Sequence, residues 1–139
     1  MNGILRRIAL YILIASLAAG CAEQVVAISK YGFSIADVNV KTSGTSDDKK
    51  PEIMEICKGL ILSEQQVREF FVYAEYIKDT DPINRYNILP CYSSGTARIN
   101  GEKYQWMIRA GGVGEFFNDK NKFIQICGKN CCDKVSGIC

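Results

Sequence analysis

Between Cys91 and Cys127 apolar residues recur at every second position, in short runs rich in β-branched and aromatic side chains. Three turn signals divide the stretch: Asn100-Gly101, Gly111-Gly112 and Asn118-Asp119-Lys120-Asn121. Asn-Gly and Gly-Gly supply the positive φ angles that tight hairpin turns demand, so the pattern predicts consecutive antiparallel hairpins. A turn at Asn100-Gly101 pairs Ile99 with Glu102, Ala97 with Tyr104, Gly95 with Trp106 and Cys91 with Ala110. A turn at Gly111-Gly112 pairs Ala110 with Val113 and Trp106 with Phe117. The longer loop then pairs Phe117 with Lys122 and sets Ile124 and Ile126 opposite Glu115 and Val113.

Side chains alternate faces along a strand. One face therefore collects Ala97, Ile99, Tyr104, Trp106, Ile108, Val113, Phe117, Ile124 and Ile126, and is the expected core face, with Gly95 leaving room for the Trp106 indole. The other carries Arg98, Lys103, Gln105, Arg109 and Gln125, with Met107, Phe116 and Phe123 among them. Glu115 is the misfit on the apolar face. Either a bulge at Gly114 turns it outward or the register slips by one there.

The period changes after Leu62. Val67, Phe70, Phe71, Ala74 and Ile77 fall at helical spacing and form one apolar stripe, with Gln65, Arg68, Glu69 and Glu75 outside it. Ser63 and Gln66 make a capping-box pair, and Leu62 with Val67 a hydrophobic staple, so the spacing predicts a helix over Ser63–Ile77. Its stripe needs a sheet to cover, and the face carrying Trp106 is the obvious one. Upstream, residues 22–30 and 33–40 predict one or two strands separated by Gly32, and the polar run Thr42–Pro51 reads as a flexible loop. Asp79–Asn87, with Pro82, is a second loop. The expected fold is α+β: one amphipathic helix on a mostly antiparallel hairpin meander.

The first residues follow a different rule. Arg6 and Arg7 precede an apolar run from Ile8 to Ala19, too short to cross a bilayer comfortably and of the length of a signal-peptide core. It ends in Leu17-Ala18-Ala19-Gly20-Cys21. This resembles the lipobox of bacterial lipoproteins, with Ala19 and Gly20 fitting the pattern, Ala18 standing where the family has a larger aliphatic residue, and Leu17 one place early. The resemblance implies lipidation of Cys21 and a lipid anchor in the cell envelope. With Ala22 rather than aspartate next, it implies the outer membrane as destination; ordinary cleavage nearby would instead yield a secreted soluble product. Residues 1–21 are thus read as signal and lipobox, and residues 22–139 as a single small domain. Removing Arg6 and Arg7 lowers the Lys and Arg count from 17 to 15, equal to the 15 acidic residues. A nucleic-acid binder shows a basic excess, which this lacks. Membrane contact is expected through the anchor alone, since no polybasic tract is present.

Six further cysteines, Cys57, Cys91, Cys127, Cys131, Cys132 and Cys139, make an even set in an exported small domain and read as disulfides. Adjacent Cys131 and Cys132 need different partners. The register sets Cys91 and Cys127 at one end of the sheet but two strands apart, so Cys57–Cys91 is the favoured long bridge and the rest staple the tail onto that end. A thiol redox site lacks the Cys-x-x-Cys spacing, and a metal site on Cys127, Cys131, Cys132 and Cys139 would need thiolates in an oxidising compartment. The chain contains no histidine, which removes Ser-His-Asp and Cys-His centres. Asp79, Asp81, Glu102 and Glu115 are scattered carboxylates without the spacing of an acid–base pair. Gly111-Gly112-Val113-Gly114 follows a strand rather than opening a helix, so it reads as a tight turn and not a phosphate cradle.

These features point away from an enzyme and from any cofactor or metal. They favour an envelope binding protein, an inhibitor or immunity-type lipoprotein acting on a protein partner. A structural or assembly lipoprotein is the alternative, with a thiol oxidoreductase behind it. The candidate contact surface is the mixed face of Arg98, Lys103, Arg109, Met107, Phe116 and Phe123, unless the N-terminal strands cover it.

Overall fold

The structure, a computed structural model, describes residues 24–77 and 88–139. Cys21 and the Asp79–Asn87 loop lie outside the described residues. Seven antiparallel strands run in the order β1-β2-β4-β5-β6-β7-β3 and curl into a half-barrel. They are β1 (Ala27–Ile28), β2 (Ser34–Ser46), β3 (Glu75–Ile77), β4 (Cys91–Ile99), β5 (Glu102–Arg109), β6 (Val113–Phe117) and β7 (Lys122–Ile126). Among the described residues three helices accompany them where one was expected: α1 (Pro51–Cys57), α2 (Glu64–Tyr73) and the single turn α3 (Lys129–Cys132).

The first hairpin has the expected register. Ile99 pairs with Glu102, Ala97 with Tyr104 and Gly95 with Trp106. Asn100 and Gly101 both take positive φ, at 49° and 80°, as a two-residue turn between twisted strands requires. Gly95 is needed twice over. A Cβ there would lie 2.7 Å from Trp106 Cζ2 and would also collide with the Asn39 carbonyl. The buried indole keeps its N–H satisfied by donating to the Thr96 carbonyl at 3.1 Å.

The second connection departs from expectation by one residue. Arg109, not Ala110, pairs with Val113, and Trp106 faces Phe116 rather than Phe117. Gly111 and Gly112, at φ 88° and 85°, turn the chain together with Ala110. A slip of one residue exchanges the faces of everything downstream. Phe116, Phe123 and Gln125 move to the core side; Val113, Glu115, Phe117, Ile124 and Ile126 take the other side, where Val113 and Ile124 are still buried as expected. This removes the Glu115 misfit: its carboxylate sits 3.8 Å from Lys122 Nζ on the outer surface. The β6–β7 pairing itself, Phe117 with Lys122 and Glu115 with Ile124, is as expected.

Helix α2 starts where its cap predicts. Ser63 Oγ accepts from the Gln66 N–H at 3.1 Å and the Gln66 side chain accepts from the Ser63 N–H at 2.8 Å, a complete capping box. Val67, Phe70, Phe71 and Ala74 are fully buried against the sheet. Phe70 lies over Gly114, where a Cβ would meet its ring, and Phe71 packs edge-on to Phe116 at 5.6 Å. The helix ends at Tyr73, not Ile77. Glu75–Ile77 instead forms β3 and completes the edge of β7. The backbone groups of β7 would otherwise lack partners there, and the Gln125 amide, donating to the Phe71 and Ala74 carbonyls, caps the helix end from the sheet.

β2 also overrides local composition. The polar run expected as a loop continues the strand to Ser46, with Thr42 paired to Ser94 and Thr45 to Tyr92. Bulges interrupt it, one at Asp37 with φ 49°. α1 follows, opened by Pro51 in its first turn, and delivers Cys57 to Cys91 in the expected long bridge.

Candidate functional site

The two ends of the half-barrel are built from different chemistry. At the Cys91 end the tail folds into the opening. Cys127 bonds Cys131 and Cys132 bonds Cys139, so the adjacent cysteines take different partners as expected. Val135 and Ile138 are buried there, Gly111 N–H donates to the Ile138 carbonyl at 2.8 Å, and Gln66 holds the Ser136 carbonyl at 2.8 Å. The Sγ atoms of Cys127, Cys132 and Cys139 lie within 4.8 Å of one another, yet each is committed to a disulfide and offers no thiolate for a metal.

At the opposite end the core face runs out into an open cavity of about 380 Å³. Its floor is Ile99, Tyr104 and Phe123; Phe33 and Tyr76 stand at either side; Asn100, Glu102, Asn121 and Lys122 form the rim. Hairpin geometry puts them together. The β4–β5 turn and the start of β7 both lie at this end, and Tyr76 of β3 pairs beside Gln125. Phe123 is the hub of the aromatic floor, stacked on Phe116 at 5.0 Å and touching Tyr104 and Tyr76 at 5.8 and 5.6 Å. Sequence reasoning did not find this cavity, because Tyr76 was assigned to a helix and Phe123 to the wrong face.

The seam between the sheet's two edges lies beside it. Lys30, just after β1, forms an ion pair with Glu75 of β3, and Tyr31 Oη donates to Glu75 Oε2 at 2.7 Å. Tyr31 packs against Tyr76 with ring centroids 6.4 Å apart. Hydrogen bonds from Lys30 and then Tyr31 hold the Glu75 carboxyl below its ordinary range, and the Glu75 hydrogen bond raises Lys30.

The expected contact surface is divided by the register slip. Arg98, Lys103 and Met107 stay on the outer face, with Gln105 exposed beside them. Phe116 is fully buried and Phe123 is packed against the core, so neither belongs to that surface. Arg109 is on the outer face, but its side chain is only 11% exposed. It reaches Asp47 Oδ2 at 2.6 Å and lies over the Tyr92 ring at 5.3 Å, which makes it a clasp between β5 and the end of β2. Arg98 pairs loosely with Asp37 at 3.1 Å and remains half exposed. The N-terminal strands do not cover this face; β1 joins the sheet edge-on through β2. Glu102 and Glu115 lie at different places, on the cavity rim and the outer face, while Asp79 and Asp81 fall outside the described residues. Among the described residues no helix is long and apolar enough to cross a membrane.

Comparison of the chain with protein-family models, with curated proteins and with solved structures returned no match.

Proposed function

We propose that this chain is a non-catalytic binding protein of the bacterial cell envelope, anchored through a lipid on Cys21 at the outer membrane, and acting as an inhibitor or immunity-type protein on a protein partner. The observation that carries the reading is the outer face of β4 and β5. There Arg98 and Lys103 pair across the two strands, and Gln105 and then Met107 follow on the same face of β5, on strands whose other face is sealed into the core. A sheet stapled by disulfides presents such residues with little ordering cost on binding, and arginine beside apolar groups is a frequent hot-spot composition. The absence of histidine from the sequence and the lipobox-like run point the same way.

The test is capture from envelope extract on immobilised wild-type protein and on Arg98→Ala/Lys103→Ala, followed by calorimetry with the captured partner. A partner whose affinity falls at least tenfold in the variant, about 1.4 kcal/mol, supports the reading. Equal capture by both proteins removes the site from this face, and no specific capture removes the function. Cys21→Ser is expected to release a folded protein from the membrane fraction; membrane association that persists in it contradicts the lipid anchor.

An assembly role has one observation of its own. β1 is a two-residue edge strand, and Val25, Val26 and Ile28 around it are exposed. Such an exposed apolar patch can accept a neighbouring subunit. Co-migration with a large complex after mild detergent extraction distinguishes this role from a one-to-one inhibitor.

A further inference from the structure

The open end of the half-barrel carries an inference independent of the outer face. Its volume, about 380 Å³, lies within the range of small-ligand pockets, about 300–1,000 Å³, and barrel mouths are a recurrent place for them. Exposed aromatic side chains are ordinarily isolated. Here Phe33, 41% exposed, and Tyr76, 39% exposed, face one opening above the buried Tyr104.

The rim narrows the chemistry. The lining holds one residue of each sign, Glu102 and Lys122, and the Lys122 ammonium already lies 3.8 Å from Glu115, so no cluster of like charge is present to select an ion. The cavity is open and half ringed by polar side chains, which disfavours an acyl chain. Asn100 and Asn121 each bring both donor and acceptor groups, and Glu102 accepts. Asn100 is already oriented, because its Oδ1 accepts from the Ser34 N–H at 2.9 Å. What suits aromatic walls topped by amide donors and acceptors, with no cluster of like charge, is an uncharged ring with an apolar C–H face and an edge of hydroxyls. We infer that the open end of the half-barrel binds a neutral carbohydrate, with a sugar ring against Tyr76 and Phe33 and its hydroxyls bonded to Asn100, Glu102 and Asn121.

The test is an amide-resolved NMR titration of the full chain with chitotetraose, maltotetraose and cellotetraose, in buffer free of sugar-headed detergents. Saturable shifts are expected with at least one of them, confined to Asn100–Tyr104, Asn121–Phe123 and Tyr76. Phe33→Ala and Tyr76→Ala, both changes at half-exposed positions, should each weaken that binding at least tenfold while the remaining spectrum stays in place. If either variant disturbs the fold, Asn121→Ala replaces it with the same expectation. The inference is overturned by an absence of saturable shifts with all three sugars, by shifts centred elsewhere, or by unchanged affinity in the variants. Loss of a protein partner in Phe33→Ala and Tyr76→Ala without any sugar binding also overturns it, and makes the cavity an anchor site for protein.

Discussion

At the Cys91 end of the half-barrel the chain finishes its own core: Val135 and Ile138 of the tail are buried, and two disulfides hold the tail within a few residues of β7. At the Asn100 end the same core face is left open, with Tyr104 and Phe123 as its last covered layer and Phe33 and Tyr76 standing half in solvent. Both ends are apolar on the inside. Among the described residues the difference is that the tail and its cysteines close one end, whereas two turns bound the other. An end that folding does not need to close is free to be shaped by a ligand, and the stability of the protein should be unequally distributed between the two.

Truncations across the sheet should break or sharpen that contrast. The largest effect is expected midway, where both ends share one layer: Trp106→Ala should cost about 3–5 kcal/mol in denaturant unfolding, since the indole is fully buried and its cavity is walled by backbone at Gly95. Next, replacing Cys57 and Cys91 together by Ala should cost about 3–4 kcal/mol, because the bridge closes 34 residues of sequence. Removing Cys132–Cys139, with a separation of 7, should cost about 2 kcal/mol by the same measurement. A ranking in which the short bridge matters more than the long one would mean that the tail plug, not the Cys57 clasp, organises the closed end. At the open end, Phe33→Ala should change stability by less than about 1 kcal/mol, as half-exposed positions do. A larger loss would show the cavity to be core after all.

The smallest effect concerns the seam beside the cavity. Glu75 has its folded pKa depressed by Lys30 and Tyr31, so the stability it contributes is present above the unfolded carboxylate range and is lost as pH falls through the lower folded value. Lys30 has its folded pKa raised, so its contribution is present below the unfolded lysine value and is lost as pH rises through the higher folded one. The seam is therefore complete at neutral pH and weakens at both extremes. Both groups are exposed, and the effect is correspondingly slight. Comparing melting temperature against pH in wild type and Glu75→Gln should show a small acid-side loss in wild type that the variant lacks. Parallel curves would assign the acid loss to other carboxylates.

The reading of the sequence succeeded where neighbouring residues decide the outcome. The Asn100-Gly101 turn sets the register of β4 on β5, and Ser63 with Gln66 sets the start of α2. These signals are local: a pair of positive φ angles and one reciprocal set of hydrogen bonds leave few alternatives. It failed at Gly111-Gly112, where a glycine pair permits a two-residue or a three-residue connection and nothing nearby chooses between them. Glu115 on an apolar face was the visible symptom. Its proper side followed only from Phe116 meeting Phe70 and Phe71.

By itself the sequence determined a disulfide-stapled, mostly antiparallel sheet, the capped start of α2, the partner of Cys57, and the position of Trp106 in the core. Only the tertiary structure decided that Thr42–Ser46 is strand, that Glu75–Ile77 leaves the helix for the edge of β7, and that Arg109 is a clasp rather than a displayed cation. It alone brings Phe33, Tyr76, Tyr104 and Phe123 around one opening. For the two strand segments the reason is shared. Backbone groups at a sheet edge must find partners that are distant in sequence, and that requirement outweighs a propensity difference of well under 1 kcal/mol per residue.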